Sequence, residues 1–150
     1  MAVDRFRDRI SEIPVFQMLP SDLRLRLSDI LVGVSSERNL EVGGVVYEKG
    51  TEDENTGAIL IEGALEVRGE PGQTFQVSAP NIVGEMQQLN EFGQRTATVS
   101  VTEEAVLLDF SWHDFVRALK EHAVITESER AQVKEAFKAY AGDRLKELTD

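Results

Sequence analysis

The chain has 150 residues, 41% of them hydrophobic, with 27 acidic against 16 basic residues and a formal net charge of -11. That length suits one domain with a core of its own, and the charge opposes direct binding to nucleic acid or to anionic lipid. The absence of cysteine excludes disulfides, a thiolate nucleophile and thiolate metal ligands.

No apolar run approaches the ~20 residues that a membrane-spanning helix needs. The start, Met1-Ala2-Val3-Asp4-Arg5-Phe6-Arg7, lacks the apolar stretch of a signal peptide. A cytoplasmic protein is the expectation.

Residues 4–32 are predicted helical. Phe6, Ile10, Ile13 and Phe16 recur at helical spacing, and Pro14 must break or end the first helix. Ser21 is the expected N-cap of a second helix whose stripe is Leu23, Leu27, Ile30 and Leu31. Over residues 34–110 short β-branched and apolar runs alternate with turn residues. These are Gly43-Gly44, Lys49-Gly50, Glu62-Gly63, Gly69 to Gly72, and Ala79-Pro80-Asn81. Many short strands with regular turns predict a sandwich or barrel, here an eight-strand-like roll.

Residues 111–148 return to helical period. Ser111 with Asp114 predicts a capped short helix through Phe115 and Leu119, and Thr126 with Glu129 a capping box opening a longer one. Val133, Phe137 and Tyr140 share a face of that last helix, with Leu145 and Leu148 beyond. The stripe suits packing on the roll or pairing of two protomers. The whole chain, 1–150, therefore reads as one domain of helices, a β-roll and two C-terminal helices.

Most polar clusters read as solvated surface. His113 and His122 lie far apart on predicted helices, whereas a metal centre needs three or four clustered ligands. No metal site and no resident cofactor are expected. The run Glu52-Asp53-Glu54-Asn55 lacks the spacing and glycine of a calcium loop. Trp112 is expected as a packing anchor. Neither clustered metal ligands nor an activated nucleophile is apparent, so an enzyme is not expected.

The segment Gly84-Glu85-Met86-Gln87-Gln88-Leu89, followed by Gln94-Arg95-Thr96-Ala97-Thr98-Val99, carries the chemistry. A glycine lets backbone approach closely. Amides opening a short helix, together with a guanidinium, make an anion site. An ionised carboxylate accepts from a hydroxyl. One compact ligand with a sugar hydroxyl and a phosphate would satisfy all three.

This segment resembles the phosphate-binding cassette of the cyclic-nucleotide-binding domain family, which includes catabolite-activator-type regulators and kinase regulatory subunits. Gly84, Glu85, Arg95, Thr96 and Ala97 fall on its pattern in order, with the glycine-to-arginine gap of the bacterial activators. The run from Leu40 through Gly50 and Ala58 to Val67, and the segment from Val99 to Leu108, resemble its flanking strands.

The resemblance implies a mainly β fold with flanking α-helices: a double-stranded β-helix jelly roll, N-terminal helices and two C-terminal helices. It implies a sensor of cyclic AMP or cyclic GMP. Glu85 would take the ribose 2'-hydroxyl, and Arg95 with the amides near Met86 and Gln87 the cyclic phosphate. Thr96 would reach phosphate or base, and Ala97 completes the motif. The C-terminal helix would relay binding to a protein partner and allows a homodimer; Tyr140 and Phe137 are candidates to stack on a purine. A second reading stays open. Gln87 stands where alanine or glycine is usual, Gln88 follows it, and Gln94 replaces a common proline. These favour a degenerate, ligand-free interaction or dimerisation module.

Overall fold

A computed structural model describes residues 2–51, 55–69, 73–84, 97–122 and 125–149, with side chains described from residue 6 to residue 141 within those ranges. Helix α1 (Ala2–Ser11) is followed by a 3-10 turn (Pro14–Met18) and helix α2 (Ser21–Val34). Pro14 does interrupt the first helix: it stands at the first position of the 3-10 turn, where its missing N–H costs nothing. The expected Ser21 cap is corrected. Pro20 is the N-cap, Ser21 is already helical, and the first turn closes through Arg24 N–H on the Pro20 carbonyl at 3.0 Å. A proline's fixed φ and extended ψ serve as the entry without a side-chain cap.

Six strands follow: β1 (Ser35–Leu40), β2 (Val45–Tyr47), β3 (Thr56–Arg68), β4 (Thr74–Ser78), β5 (Asn81–Val83) and β6 (Thr98–Ser111). All pairs are antiparallel. The path runs β1-β6-β3-β4, with β2 also on β6 and β5 also on β3. The two long strands each do the duty of two. β3 pairs β5 over 58–60 and β4 over 64–68, while β6 pairs β2 over 99–100 and β1 over 105–110. The eight-strand-like pattern read from the sequence thus resolves into six strands among the described residues, in a mainly β jelly roll with flanking helices.

The expected turn at Glu62-Gly63 is instead a bulge inside β3, where the register on β6 shifts between Leu60 and Leu65. Gly63 has φ +100°, and a Cβ there would strike the Glu104 carbonyl and lie 2.8 Å from that of Glu103. Only glycine fits both conditions. Ile61, next to the bulge, has no partner in the β3–β6 register. Its carbonyl accepts two N–H bonds from the Arg9 guanidinium, at 2.9 and 3.2 Å.

Over residues 57–61 β3 is buried on both faces, which explains the apolar run Ala58-Ile59-Leu60-Ile61. Ala58, Leu60, Leu65 and Val67 point into the roll with Val99, Val101 and Leu107. Ile59 and Ile61 point the other way, into a second core with Phe6, Ile10, Phe16, Leu27, Leu108 and Phe110. Helices α3 (Trp112–Glu121) and α4 (Glu127–Thr149) complete that second core. Both expected caps form. Ser111 Oγ accepts from Asp114 N–H at 3.3 Å; Thr126 Oγ1 accepts from Glu129 N–H at 3.1 Å while Glu129 Oε1 accepts from Thr126 N–H at 3.0 Å.

Candidate functional site

The site predicted from the sequence lies between β5 and β6. Its two described ends are Gly84 and Ala97. Glu85, Met86, Gln87, Arg95 and Thr96, with Gln88 beside them, lie outside the described residues. The flanks are pinned at opposite ends of β3: Val83 pairs Ala58, and Thr98 pairs Arg68. Ala97 is buried inside the roll beside Val99 and Val46.

Gly84 has φ +84°. A Cβ on it would fall 2.9 Å from each of Gly57 Cα, the Thr56 carbonyl and Tyr47 Oη. Gly57 is constrained in turn, because a Cβ there would sit 2.7 Å from the Phe110 ring and 3.1 Å from Trp112 Nε1. Two glycines therefore stack back to back, letting β5 approach β3 on one side and the aromatic rings approach it on the other. The sequence argument reserved the close approach at Gly84 for a ligand; the approach seen in the described residues is to Gly57.

Trp112 fixes this corner. Its indole N–H donates to the Gly84 carbonyl at 3.1 Å. Its ring lies edge-on to Phe110 at 4.9 Å and to Phe137 at 5.2 Å. Trp112 is the packing anchor the sequence suggested, and it also holds the first residue of the cassette. Phe137 does not fit the purine-stacking role. It is 3% exposed and enclosed edge-on by Phe16, Trp112 and Phe115. Tyr140 instead donates its hydroxyl proton to Asn81 Oδ1 at 2.8 Å. Both C-terminal helices thus touch the β5 segment, α3 at its end and α4 at its start.

A second junction sets α4. Arg26 on α2 gives a forked pair to Glu129, Nη1 to Oε1 at 3.1 Å and Nη2 to Oε2 at 2.6 Å, and Nη2 also reaches Asp22 at 2.8 Å. The Arg26 hydrogen bond, aided by the Thr126 N–H, lowers the Glu129 carboxyl to a pKa of about 2. The sequence predicted Glu129 as a cap; its second role, tying α4 to α2, has no local signal because the partner is 103 residues away. Elsewhere, burial raises the Asp109 carboxyl despite the adjacent Arg38 at 2.9 Å.

His113 is exposed on α3, and His122 caps the end of that helix. Among the described residues no group of three or more His, Cys, Asp or Glu is placed to hold a metal ion. Glu52, Asp53 and Glu54, the core of the rejected calcium reading, lie outside the described residues. Among the described residues no helix is long and apolar enough to cross a membrane.

The family model described as "Cyclic nucleotide-binding domain" matches residues 37–122. The chain belongs to the cyclic nucleotide-binding domain family. That match runs from Glu37 within β1 through β6, and takes in the Gly84–Ala97 segment and α3.

Solved structures share the fold at low identity. The sensor domain of the transcriptional regulator DNR from Pseudomonas aeruginosa is 18% identical with a TM-score of 0.65, covering 93% of this chain and 92% of that one. Thermus thermophilus catabolite activator protein is 20% identical with a TM-score of 0.65, over 89% of this chain and 59% of its own. A cAMP-bound PfPKA-R (141-441) is 16% identical with a TM-score of 0.63, over 92% of this chain and 47% of its own. The chain thus spans about half the length of these last two. No curated protein matches the chain in sequence.

Proposed function

We propose that this chain is a one-domain cytoplasmic sensor for a cyclic purine nucleotide, cyclic AMP or cyclic GMP, and is regulatory rather than enzymatic. The observation that carries this reading is the family match, which encloses the whole Gly84–Ala97 segment. One of the solved relatives is itself cAMP-bound.

In this reading Glu85 accepts the hydrogen bond of the ribose 2'-hydroxyl. Arg95 and the amides at Met86 and Gln87 hold the cyclic phosphate, because a guanidinium with aligned N–H donors is the strong arrangement for an anion. Thr96 contacts phosphate or base. The overall charge of -11 does not oppose this, since a local cluster of donors decides a site of this size.

The signal leaves through the two hydrogen bonds that bracket β5. A ligand that draws on the cassette acts on Gly84, hence on Trp112 and α3. Movement of β5 also acts on Asn81, hence on Tyr140 and α4. The shift transmitted equals the ligand's differential affinity for the two states. A protein partner, or a second copy along α4, receives it; the net charge argues against DNA as the direct target.

Isothermal titration with cyclic AMP and cyclic GMP, with Arg95→Ala as control, tests the reading. Micromolar or tighter binding that the substitution abolishes supports it, and the preferred base assigns the role of Thr96. No heat with either nucleotide from a folded protein rejects it in favour of the ligand-free interaction module.

A further inference from the structure

On the other side of Trp112 from the cassette residues, α3 and α4 line an open groove of about 520 Å³. Its floor is apolar: Trp112, Phe115, Val133 and Phe137, each at most 3% exposed and packed edge to face where they are aromatic. On the α3 lip, Val116 is 45% exposed and continues the apolar lining outwards.

The rim has the opposite sign to the molecule. Lys120 stands on the α3 side, and Arg130 and Lys134 stand one turn apart on the α4 side, with Glu127 the one acid among the lining residues. Acidic residues outnumber basic ones 27 to 16 in the chain, so three cations to one anion is a local reversal. Among the described residues neither Lys120 nor Lys134 enters an ion pair. Arg130 donates to the Ile125 carbonyl at 3.3 Å, which holds its guanidinium near the groove.

We propose that this groove docks an acidic amphipathic helix of a partner protein. Apolar side chains at successive turns of that helix would enter the space above Phe115 and Phe137, and carboxylates on either side of the stripe would meet Lys120 across from Arg130 and Lys134. A floor of aromatic side chains between two helices is the setting in which a third helix buries an i, i+4, i+7 stripe. The exposed Val116 gives the apolar contact that docking would bury, and the rim charges supply partner choice and association rate. Cations on both lips favour a ligand with flanking charges over one compact anion. The inference does not depend on nucleotide binding, because no residue of the groove belongs to the cassette.

Trp112 is the sole tryptophan of the chain, so its fluorescence reports on the floor of the groove directly. The probes are two helical peptides sharing one leucine stripe, one flanked by glutamates and the other by lysines. The glutamate peptide is expected to shift Trp112 emission saturably, with affinity falling at least tenfold in Lys120→Glu/Lys134→Glu and in Val116→Glu, and falling as salt rises. All three positions are exposed, and an unchanged thermal melt checks that the variants fold. The same result with the nucleotide titration negative still supports the groove. No shift with the glutamate peptide, or equal binding of the lysine peptide, overturns the proposal. So does a concentration-dependent dimer that Val116→Glu dissolves, because the face is then covered by a second copy.

Discussion

Trp112 Nε1 donates to the carbonyl of Gly84 across 28 residues of sequence, at 3.1 Å. One indole thereby joins the aromatic core beneath α4 to the first residue of the cassette. Trp112→Phe keeps a ring in the cluster and removes the donor. The expected loss is about 1 kcal/mol, the cost of leaving a part-buried carbonyl unpaired. Urea unfolding followed by circular dichroism measures it. If the sensor reading holds, nucleotide affinity falls with it; an unchanged midpoint would mean that the bond contributes nothing.

Glycine substitutions should separate by position. Gly84→Ala must accept φ +84° and backbone contacts at 2.9 Å, and Gly57→Ala a contact at 2.7 Å with a packed ring. Each should cost about 1–3 kcal/mol. Gly33→Ala meets nothing within 4 Å and lies in α2, so it should stabilise by about 0.5–1 kcal/mol. Thermal melts of the three variants give the ranking, and equal melting temperatures would contradict it.

Tyr140→Phe removes the hydroxyl that reaches Asn81 Oδ1 at 2.8 Å. The ring remains packed, so the loss should be confined to about 1 kcal/mol. Amide exchange in α4 near residue 140 is then expected to quicken about fivefold, if that helix opens as a local unit. Exchange that quickens equally in β6 would show a global effect instead of a local one.

The Arg26–Glu129 junction makes stability depend on acid. The Glu129 carboxyl is lowered from 4.5 to about 2 by the Arg26 hydrogen bond first and the Thr126 amide second. A depressed carboxyl stabilises the fold fully above its unfolded value and loses that contribution as pH falls from about 4.5 towards about 2. Glu129→Gln should therefore melt lower at neutral pH and show a shallower decline over that window. Asp109 runs the other way: burial raises its carboxyl, so its contribution favours the fold at low pH and fades as pH rises through its folded value. Melting temperatures from pH 2 to 7 for both proteins decide; parallel curves would remove Glu129 from the account.

Much of the fold was legible because its signals are local. The capping pairs Ser111–Asp114 and Thr126–Glu129 span three residues each and form as read. The stripe Val133, Phe137 and Tyr140 packs on the helix-side core. Local reading failed where a residue type has two uses. Ser21 is a good cap, but Pro20 already supplies the entry. Gly63 suits a turn, but the same backbone freedom serves a bulge within β3.

The sequence by itself determined the order of helices and strands, the caps of the two C-terminal helices and the family to which the chain belongs. Those follow from periodicity and from motifs a few residues long. Only the tertiary structure decided that Gly84 stacks on Gly57 and is held by Trp112. It alone decided that Phe137 is core, that Tyr140 reaches Asn81, and that Arg26 clasps Glu129. These partners lie 27 to 103 residues apart, and no local preference encodes a pairing at that distance. It is set when two buried faces close on each other and each polar group enclosed between them must find a partner.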